Sequence, residues 1–236
     1  GVPGRLHDVR RSTGSYIPLV SAGPSMKVVR VFPTDQGASL AIAGNNTNPM
    51  TDIGTAPNCV VLNSIPLAAG TASRQGTRIR MRTLLLSAEF FSGTNGAAPH
   101  FHARLALLYD KRPTGGSSLP PWNLIYENDS ITGFRATGGR DRFEVLYEQD
   151  IKLDKSVVWN GTSTLFTYGP SSSKVINVRI PIYRVTAFAE GNVSGSYAAM
   201  TSGALILLLL SPDVPNASNN MQMGYNFKLS FDDLTV

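Results

Sequence analysis

The chain has 236 residues, of which 42% are hydrophobic and 16% charged, with 22 Gly, 15 Pro and a single Cys. This length and composition exclude intrinsic disorder, and one cysteine excludes an internal disulfide framework. The net charge of +5 is uneven, because residues 1–82 carry nine Lys/Arg against three Asp (+6), whereas residues 83–236 carry twelve against thirteen acids (−1). Such asymmetry favours a polyanionic partner on one side of the fold.

The first segment, residues 1–54, is basic and polar and shows no sustained hydrophobic period. We expect an extended arm and loop with at most one short strand, MKVVRVF (26–32). No apolar stretch of the kind found in secretory signal peptides follows the first basic residues, so a signal peptide is not expected. The longest apolar run, ALILLLL (204–210), is too short to span a bilayer and predicts a strand buried on both faces. Membrane insertion is therefore not expected.

The rest of the chain, residues 55–236, contains eight strand-like apolar runs between turn clusters. They are residues 58–64, 78–91, 101–110, 141–153, 156–160, 174–182, 203–211 and 225–231. No long stretch keeps a 3.6-residue period, and the best helix candidate is the short PWNLIYEN (121–128). These runs predict an all-β domain, a single eight-stranded antiparallel jelly roll. The long loops 111–140 and 183–202 are expected to make contacts with a partner.

A search for catalytic or metal-binding patterns is negative. The pair His100 and His102 is the spacing with which cupins begin a metal site, but no histidine follows it in the chain. The carboxylates Glu144, Glu148 and Asp150 alternate along one strand and could form an acid/base pair, although a solvated face is the simpler interpretation. We therefore predict no enzyme, no metal and no cofactor.

The arginines of GTRIRMRTLLLSAEFF (76–91) form the most distinctive pattern. Arg78, Arg80 and Arg82 alternate with Ile79 and Met81, so a strand directs all three guanidinium groups to one face. From Leu84 both faces look apolar, which predicts a strand that leaves a charged rim and enters the interior. Guanidinium groups suit phosphate recognition, but pairing with acids of a neighbouring strand or subunit explains the pattern equally well.

Three segments resemble, in the same order, the coat proteins of small circular single-stranded DNA viruses. They are AAGTASRQGTRIRMRTLLLSAEF (68–90), ALLYDKRPTGG (106–116) and GRDRFEVLYEQDIKL (139–153). The likeness is closest to geminivirus and genomovirus coat proteins and more distant to circoviruses, and it covers about residues 58–236. Those families usually carry a long Arg/Lys-rich N-terminal arm, and the sequence printed here has only RRS and scattered bases in that region.

The resemblance implies a capsid protein that tiles an icosahedral shell, in a T=1-like arrangement, around single-stranded DNA. It implies a location in the virion, with assembly in the host nucleus. In that setting the nucleic-acid-binding residues would be the cations of the arm and the stripe: Arg5, Arg10, Arg11, Lys27, Arg30, Arg78, Arg80 and Arg82. The subunit interfaces would use the apolar residues of the long loops: Trp122, Ile125, Tyr126, Phe134, Tyr183, Phe188 and Tyr197.

Two other interpretations stay open at this level. A cupin- or lectin-like sandwich would bind a small ligand or metal, and the incomplete histidine set speaks against it. A cellular nucleic-acid-binding β domain would have the same basic stripe and would never assemble.

Overall fold

The computed structural model describes residues 27–31, 39–41, 59–70, 72–92, 100–113, 125–126, 134–159, 166–171, 173–210 and 221–234. Within them lie eleven strands: β1 Lys27–Val31, β2 Ser39–Ala41, β3 Cys59–Val61, β4 Arg78–Ser92, β5 His100–Asp110, β6 Phe143–Trp159, β7 Phe166–Ser171, β8 Lys174–Phe188, β9 Met200–Ser202, β10 Ala204–Leu210 and β11 Met221–Asp233. The helical segments of this part are two single 3₁₀ turns, Thr137–Gly139 and Tyr197–Ala199.

The strands form two sheets whose pairings are all antiparallel. The first sheet has the order β1-β11-β4-β8-β9, with β2 also paired to β11, and the second has the order β3-β10-β5-β6-β7. Four consecutive strands of each sheet, β1-β11-β4-β8 and β3-β10-β5-β6, have the BIDG and CHEF orders of a jelly roll. The predicted all-β, eight-stranded jelly roll is therefore confirmed, and β2, β7 and β9 are short additions to it.

The core lies between the sheets and follows the hydrophobic periods. Along β11, Tyr225, Phe227, Leu229 and Phe231 are buried, whereas Asn226 between them is exposed. All seven residues of β10 are buried, as expected for a strand covered on both faces. Cys59 lies in the same core, where burial raises the pKa of its thiol to about 12.

Two strand assignments differ from the sequence prediction. Strand β1 lies in the predicted arm, yet it pairs with β11 over its full length, from Lys27 with Phe231 to Val31 with Phe227. It therefore belongs to the jelly roll, and the boundary at residue 55 does not separate it from the domain. The predicted strand 156–160 is the continuation of β6, which runs without a break to Trp159.

The two long loops are also partly different from the prediction. Most of the helix candidate 121–128 lies outside the described residues, and Tyr126 within it forms an isolated antiparallel bridge with Arg135. Residues 183–188, predicted as loop, belong to β8. Pro181 lies within that strand, which over this stretch pairs on one side only among the described residues, and proline is tolerated at a sheet edge.

Candidate nucleic-acid interface

The arginine stripe lies on β4, on the face of the first sheet that points away from the second sheet. Ile79 and Met81 are fully buried in the core, whereas Arg78 and Arg80 are exposed. The alternation expected from the sequence thus holds over this half of the strand. Its consequence is that the cations stand on a solvent-facing surface while their neighbours anchor the strand.

A β-bulge at Arg82 explains why the stripe runs into apolar sequence. Met81 pairs with Phe231 and Thr83 with Ser230, so Arg82 is an extra residue on β4. Beyond it the inward residues have even numbers, and Leu84 is buried whereas Leu85 is 42% exposed. The prediction that the strand enters the interior is wrong at this point, because the bulge shifts the alternation by one residue and one face stays wet.

Two of the predicted nucleic-acid-binding cations are engaged by acids at the end of β11. Arg82 forms an ion pair with Asp232, whose side chain is 5% exposed, and keeps 38% of its own side chain exposed. Lys27 is buried, with its Nζ 2.5 Å from Asp233 Oδ2 and donating to the carbonyl of Ser73 at 3.0 Å. These two cations follow the pairing interpretation that the sequence left open.

The other predicted cations divide by position. In the described part of the chain, Arg78 and Arg80 have no side-chain ion pair. Arg30 stands on β1 in register with Lys228. The remaining three, Arg5, Arg10 and Arg11, lie outside the described residues.

Two further cations join this surface that sequence reasoning missed. Leu85 is in register with Arg179 of β8 on one side and with Lys228 of β11 on the other. The alternation within each strand places Arg179 and Lys228 on a solvent-facing side. Only the position of β4 between β8 and β11 brings these two cations next to the arginine stripe. We call Arg78, Arg80, Arg82, Arg179 and Lys228, with the exposed Leu85 and Tyr183, the basic face.

The electrostatics of the basic face are unbalanced. Its described acids are the exposed Glu89 and the Asp232 that already binds Arg82. Like charges brought together across strands destabilise a sheet unless an anion offsets them. An exposed, net positive sheet face therefore suits a polyanion bound through charge.

The predicted subunit-interface residues do not share one environment. Ile125, Tyr126, Phe188 and Tyr197 are at most 4% exposed and pack inside the subunit itself. The reason for selecting them, apolar surface left in water, therefore does not apply to these four. It does apply to Phe134, which is 83% exposed, and to Tyr183, which is 61% exposed. Trp122 lies outside the described residues.

The ring of Phe188 packs against Arg74, an arginine that is buried and bonded within the subunit. Arg74 is 1% exposed and donates to the carbonyls of Ile65 at 3.1 Å, Gly76 at 2.7 Å and Asn192. Its guanidinium carbon lies 4.2 Å from the centroid of the Phe188 ring. Burial lowers the pKa of Arg74, and the charge of Asp233 opposes this. This residue ties the segment after β3 to the loop before β9.

Tyr197 is buried in a second polar cluster around Asp110. The fully buried Asp110 accepts from Arg142 Nε at 2.9 Å, Arg142 Nη2 at 2.8 Å and Tyr197 Oη at 2.8 Å. The bond to Asp110 raises the pKa of Arg142, and burial raises the pKa of Tyr197 to about 12. The cluster holds the ends of β5 and β6 against the loop before β9. We call Arg74, Asp110, Arg142 and Tyr197 the loop anchors.

The three carboxylates of β6 do not form an acid/base pair. Leu107 pairs with Tyr147 and Leu108 with Val145, so a second bulge at Leu146 places Glu144 on the opposite face from Glu148. Glu144 forms an ion pair with Arg184, which is the main reason that its pKa is lowered.

Glu148 and Asp150 lie on the other face, 3.0 Å and 3.1 Å from Arg104. Arg104 also stands over the ring of Tyr126, and burial raises the pKa of that phenol. Both carboxylates are thus neutralised by an arginine. Within the described ranges, no group of His, Cys, Asp and Glu is arranged to hold a metal ion. The same part of the chain contains no helix with the length and apolar character needed to cross a membrane.

Comparison with known proteins adds little to the strand order. No protein-family model matches the sequence, and no curated protein matches it. Among solved structures, the chain is similar to one in the cryo-EM structure of the giant freshwater prawn Macrobrachium rosenbergii nodavirus (MrNV) semi-empty VLP. The identity is 13% and the TM-score 0.23, with 100% of this chain and 94% of that chain covered. A TM-score this low carries no argument, so the fold assignment rests on the sheet topology.

Proposed function

We propose that this chain is a viral coat protein that self-assembles into an icosahedral, T=1-like shell and packages single-stranded DNA against its basic face. Three features support the proposal together: the jelly-roll strand order, the net positive sheet face, and the resemblance of residues 68–90, 106–116 and 139–153 to coat proteins of single-stranded DNA viruses. The partners are then further copies of the chain and the genome. The location is the virion, with assembly in the host nucleus, and the role is structural rather than enzymatic.

The observation that carries the nucleic-acid part is the state of Arg78 and Arg80. Both are exposed on a strand whose other face is fully buried, and neither has an ion pair within the described residues. Planar, permanently charged guanidinium groups on an exposed sheet face suit contacts with phosphates, and such contacts carry no base-sequence information. A coat protein needs this property, because it packages whatever sequence its genome carries.

A salt titration of single-stranded DNA binding tests this part. The double change Arg78→Ala and Arg80→Ala should lower the log–log salt slope by up to roughly 1.4, about 0.7 for each phosphate that is no longer neutralised. The matched control is Lys152→Ala, which removes an exposed cation from the second sheet and should leave the slope unchanged. If the double variant is folded and keeps the wild-type slope, the basic face does not hold the genome.

The assembly part is supported by apolar surface that the subunit leaves uncovered. Phe134 is 83% exposed and Val193 is 63% exposed, and large aromatic side chains in water are typical of protein interfaces. Over 174–186, β8 also has an unpaired edge within the described part, which is a surface for contact with another copy. Trp122 is proposed to share this role with Phe134.

Electron microscopy and sedimentation of the purified chain test assembly. We expect uniform closed shells, and Phe134→Ala should lower their yield while the circular dichroism spectrum stays that of the wild type. A chain that remains monomeric at every salt concentration would instead be the non-assembling β domain. A stoichiometric metal by elemental analysis would favour the cupin-like alternative.

A further inference from the structure

Tyr183 has a backbone conformation that its side chain disfavours. Its φ is 46°, in the left-handed region, and it is the one non-glycine residue with positive φ in the described part of the chain. Residues held in this way are found where the surroundings impose the conformation, and they concentrate at functional sites.

An ion pair and a register shift both lie at this point of β8. Arg184 Nη1 donates to the carbonyl of Tyr183 at 3.2 Å, and Arg184 is itself held by Glu144 from the second sheet. Met81 pairs with Arg184 and Thr83 with Pro181, so β8 contributes two residues, Ile182 and Tyr183, opposite Arg82 alone. The backbone that carries the ring is thus both irregular in register and contacted by Arg184.

The ring gains little packing inside the subunit. Tyr183 is 61% exposed, whereas Ile182 beside it is 2% exposed and part of the core. The partner strand β9 reaches only Ala187 and Phe188, so it does not cover this position. An aromatic ring is thus exposed to solvent at the residue of the first sheet that has positive φ.

The surroundings of the ring are cationic. Arg80 is the outward residue of β4 nearest to Tyr183, next to the Arg82 that Asp232 already engages from β11. Arg179 lies four residues back on β8, about 13 Å away at the rise of a strand. A flat ring between arginines on both sides matches single-stranded nucleic acid, in which stacking bases alternate with phosphates.

We propose that Tyr183 is the base-stacking residue of the basic face, with Arg80 and Arg179 binding the flanking phosphates. This inference rests on the proposed function and adds to it a contact with bases. Stacking tolerates any base because every base has a π face, so this contact leaves packaging independent of sequence.

The test compares wild type, Tyr183→Gly and Tyr183→Phe in binding to an oligo-dT and to an abasic oligonucleotide of the same length and charge. Glycine removes the ring and suits positive φ, so weaker binding would not come from unfolding. We expect Tyr183→Gly to bind oligo-dT about tenfold more weakly with an unchanged salt slope, and Tyr183→Phe to bind like wild type. Wild type should bind the abasic oligonucleotide about tenfold more weakly than oligo-dT, whereas Tyr183→Gly should bind the two with equal affinity.

Each other outcome overturns the inference in a distinguishable way. Equal oligo-dT binding by wild type and Tyr183→Gly overturns it alone, provided that Arg78→Ala with Arg80→Ala still lowers the salt slope. A lower yield of shells from Tyr183→Gly with DNA binding intact assigns Tyr183 to a subunit interface, as the sequence pattern indicates. Absence of binding by the wild-type chain to either oligonucleotide overturns both this inference and the nucleic-acid part of the proposed function.

Discussion

The arginines of the basic face and those of the loop anchors have the same chemistry and opposite environments. Arg78 and Arg80 are exposed and have no ion pair in the described part of the chain, whereas Arg74 is 1% exposed and bonded to three carbonyls. Arg142 gives two donors to a fully buried carboxylate. The positive charge of residues 1–82 is therefore not all available to a ligand, because Arg74 and Lys27 are buried within the fold. The hydrogen-bond and ion-pair partners of each arginine decide whether it stabilises the fold or stays available to a ligand. Mutations of these residues and their partners can measure that difference.

The largest effect is expected at the buried carboxylate. Asp110→Ala should lower the free energy of unfolding by about 3–5 kcal/mol, because Arg142, whose side chain is 21% exposed, would lose the fully buried carboxylate that balances its charge. The control is Asp150→Ala, since the Asp150 side chain is 53% exposed beside Arg104 and its removal should cost less than about 1 kcal/mol. Urea unfolding measures both values, and similar values for the two variants would contradict the assignment of Asp110 as an anchor.

A matched pair of arginines tests the comparison directly. Arg74→Met keeps the apolar stem and removes the donors to Ile65, Gly76 and Asn192, so we expect stability to fall by about 3 kcal/mol. Arg80→Met removes the same group from the surface and should change stability by less than about 0.5 kcal/mol. The reverse should hold for single-stranded DNA, which Arg80→Met should bind more weakly. If both variants unfold alike, the partners do not decide the role.

Two glycines of one loop measure how tightly the anchors close it. Gly191 and Gly195 both have positive φ, near 70°, but a Cβ on Gly195 would lie 2.2 Å from the carbonyl oxygen of Ile65, whereas a Cβ on Gly191 would meet nothing within 4 Å. Gly191→Ala should cost about 1 kcal/mol for its conformation alone. Gly195→Ala should cost about 2 kcal/mol more in thermal or urea unfolding. Equal costs would mean that the loop moves away from Ile65 without resistance.

Sequence patterns predict the fold well because the jelly roll depends on local periods. The alternation of β11 and the continuous apolar run of β10 are visible without any neighbour. Strand β1 falls in the predicted arm because five residues carry too little period, and its pairing with β11 joins segments about 200 residues apart. The bulges at Arg82 and Leu146 are invisible in the sequence, since an extra residue shows only in the register of its partner strand.

Sequence patterns predict only part of the candidate site. The shared face of Arg78, Arg80 and Arg82 follows from alternation, but the acids that engage Arg82 and Lys27 come from the end of the chain. Arg74 carries no local mark that distinguishes it from an exposed arginine, because its three acceptors are backbone carbonyls. Arg179 and Lys228 reach the basic face through sheet order alone.

The smallest effect is expected at Glu144 and Arg184, which stand between the two environments with side chains 32% and 38% exposed. The bond from Arg184 lowers the pKa of Glu144 in the folded chain, so the pair adds stability above the pKa of about 4.3 that glutamate has when unfolded. This stability is lost as the pH falls through the lower, folded value. Glu144→Gln should therefore cost about 0.5–1 kcal/mol at pH 7, and the difference from wild type should vanish in acid.

The pH dependence of urea unfolding measures this difference, with Glu190→Gln as the control because Glu190 is exposed and has no ion pair in the described part of the chain. A difference between wild type and Glu144→Gln that persists into acid would mean that the carboxylate acts by shape and not by charge.

The same variant also links the loop anchors to the basic face. Arg184 holds the carbonyl of Tyr183, so loosening it should weaken oligo-dT binding by less than the removal of the ring itself. A stronger effect from Glu144→Gln than from Tyr183→Gly would mean that the ion pair, and not the ring, shapes the basic face.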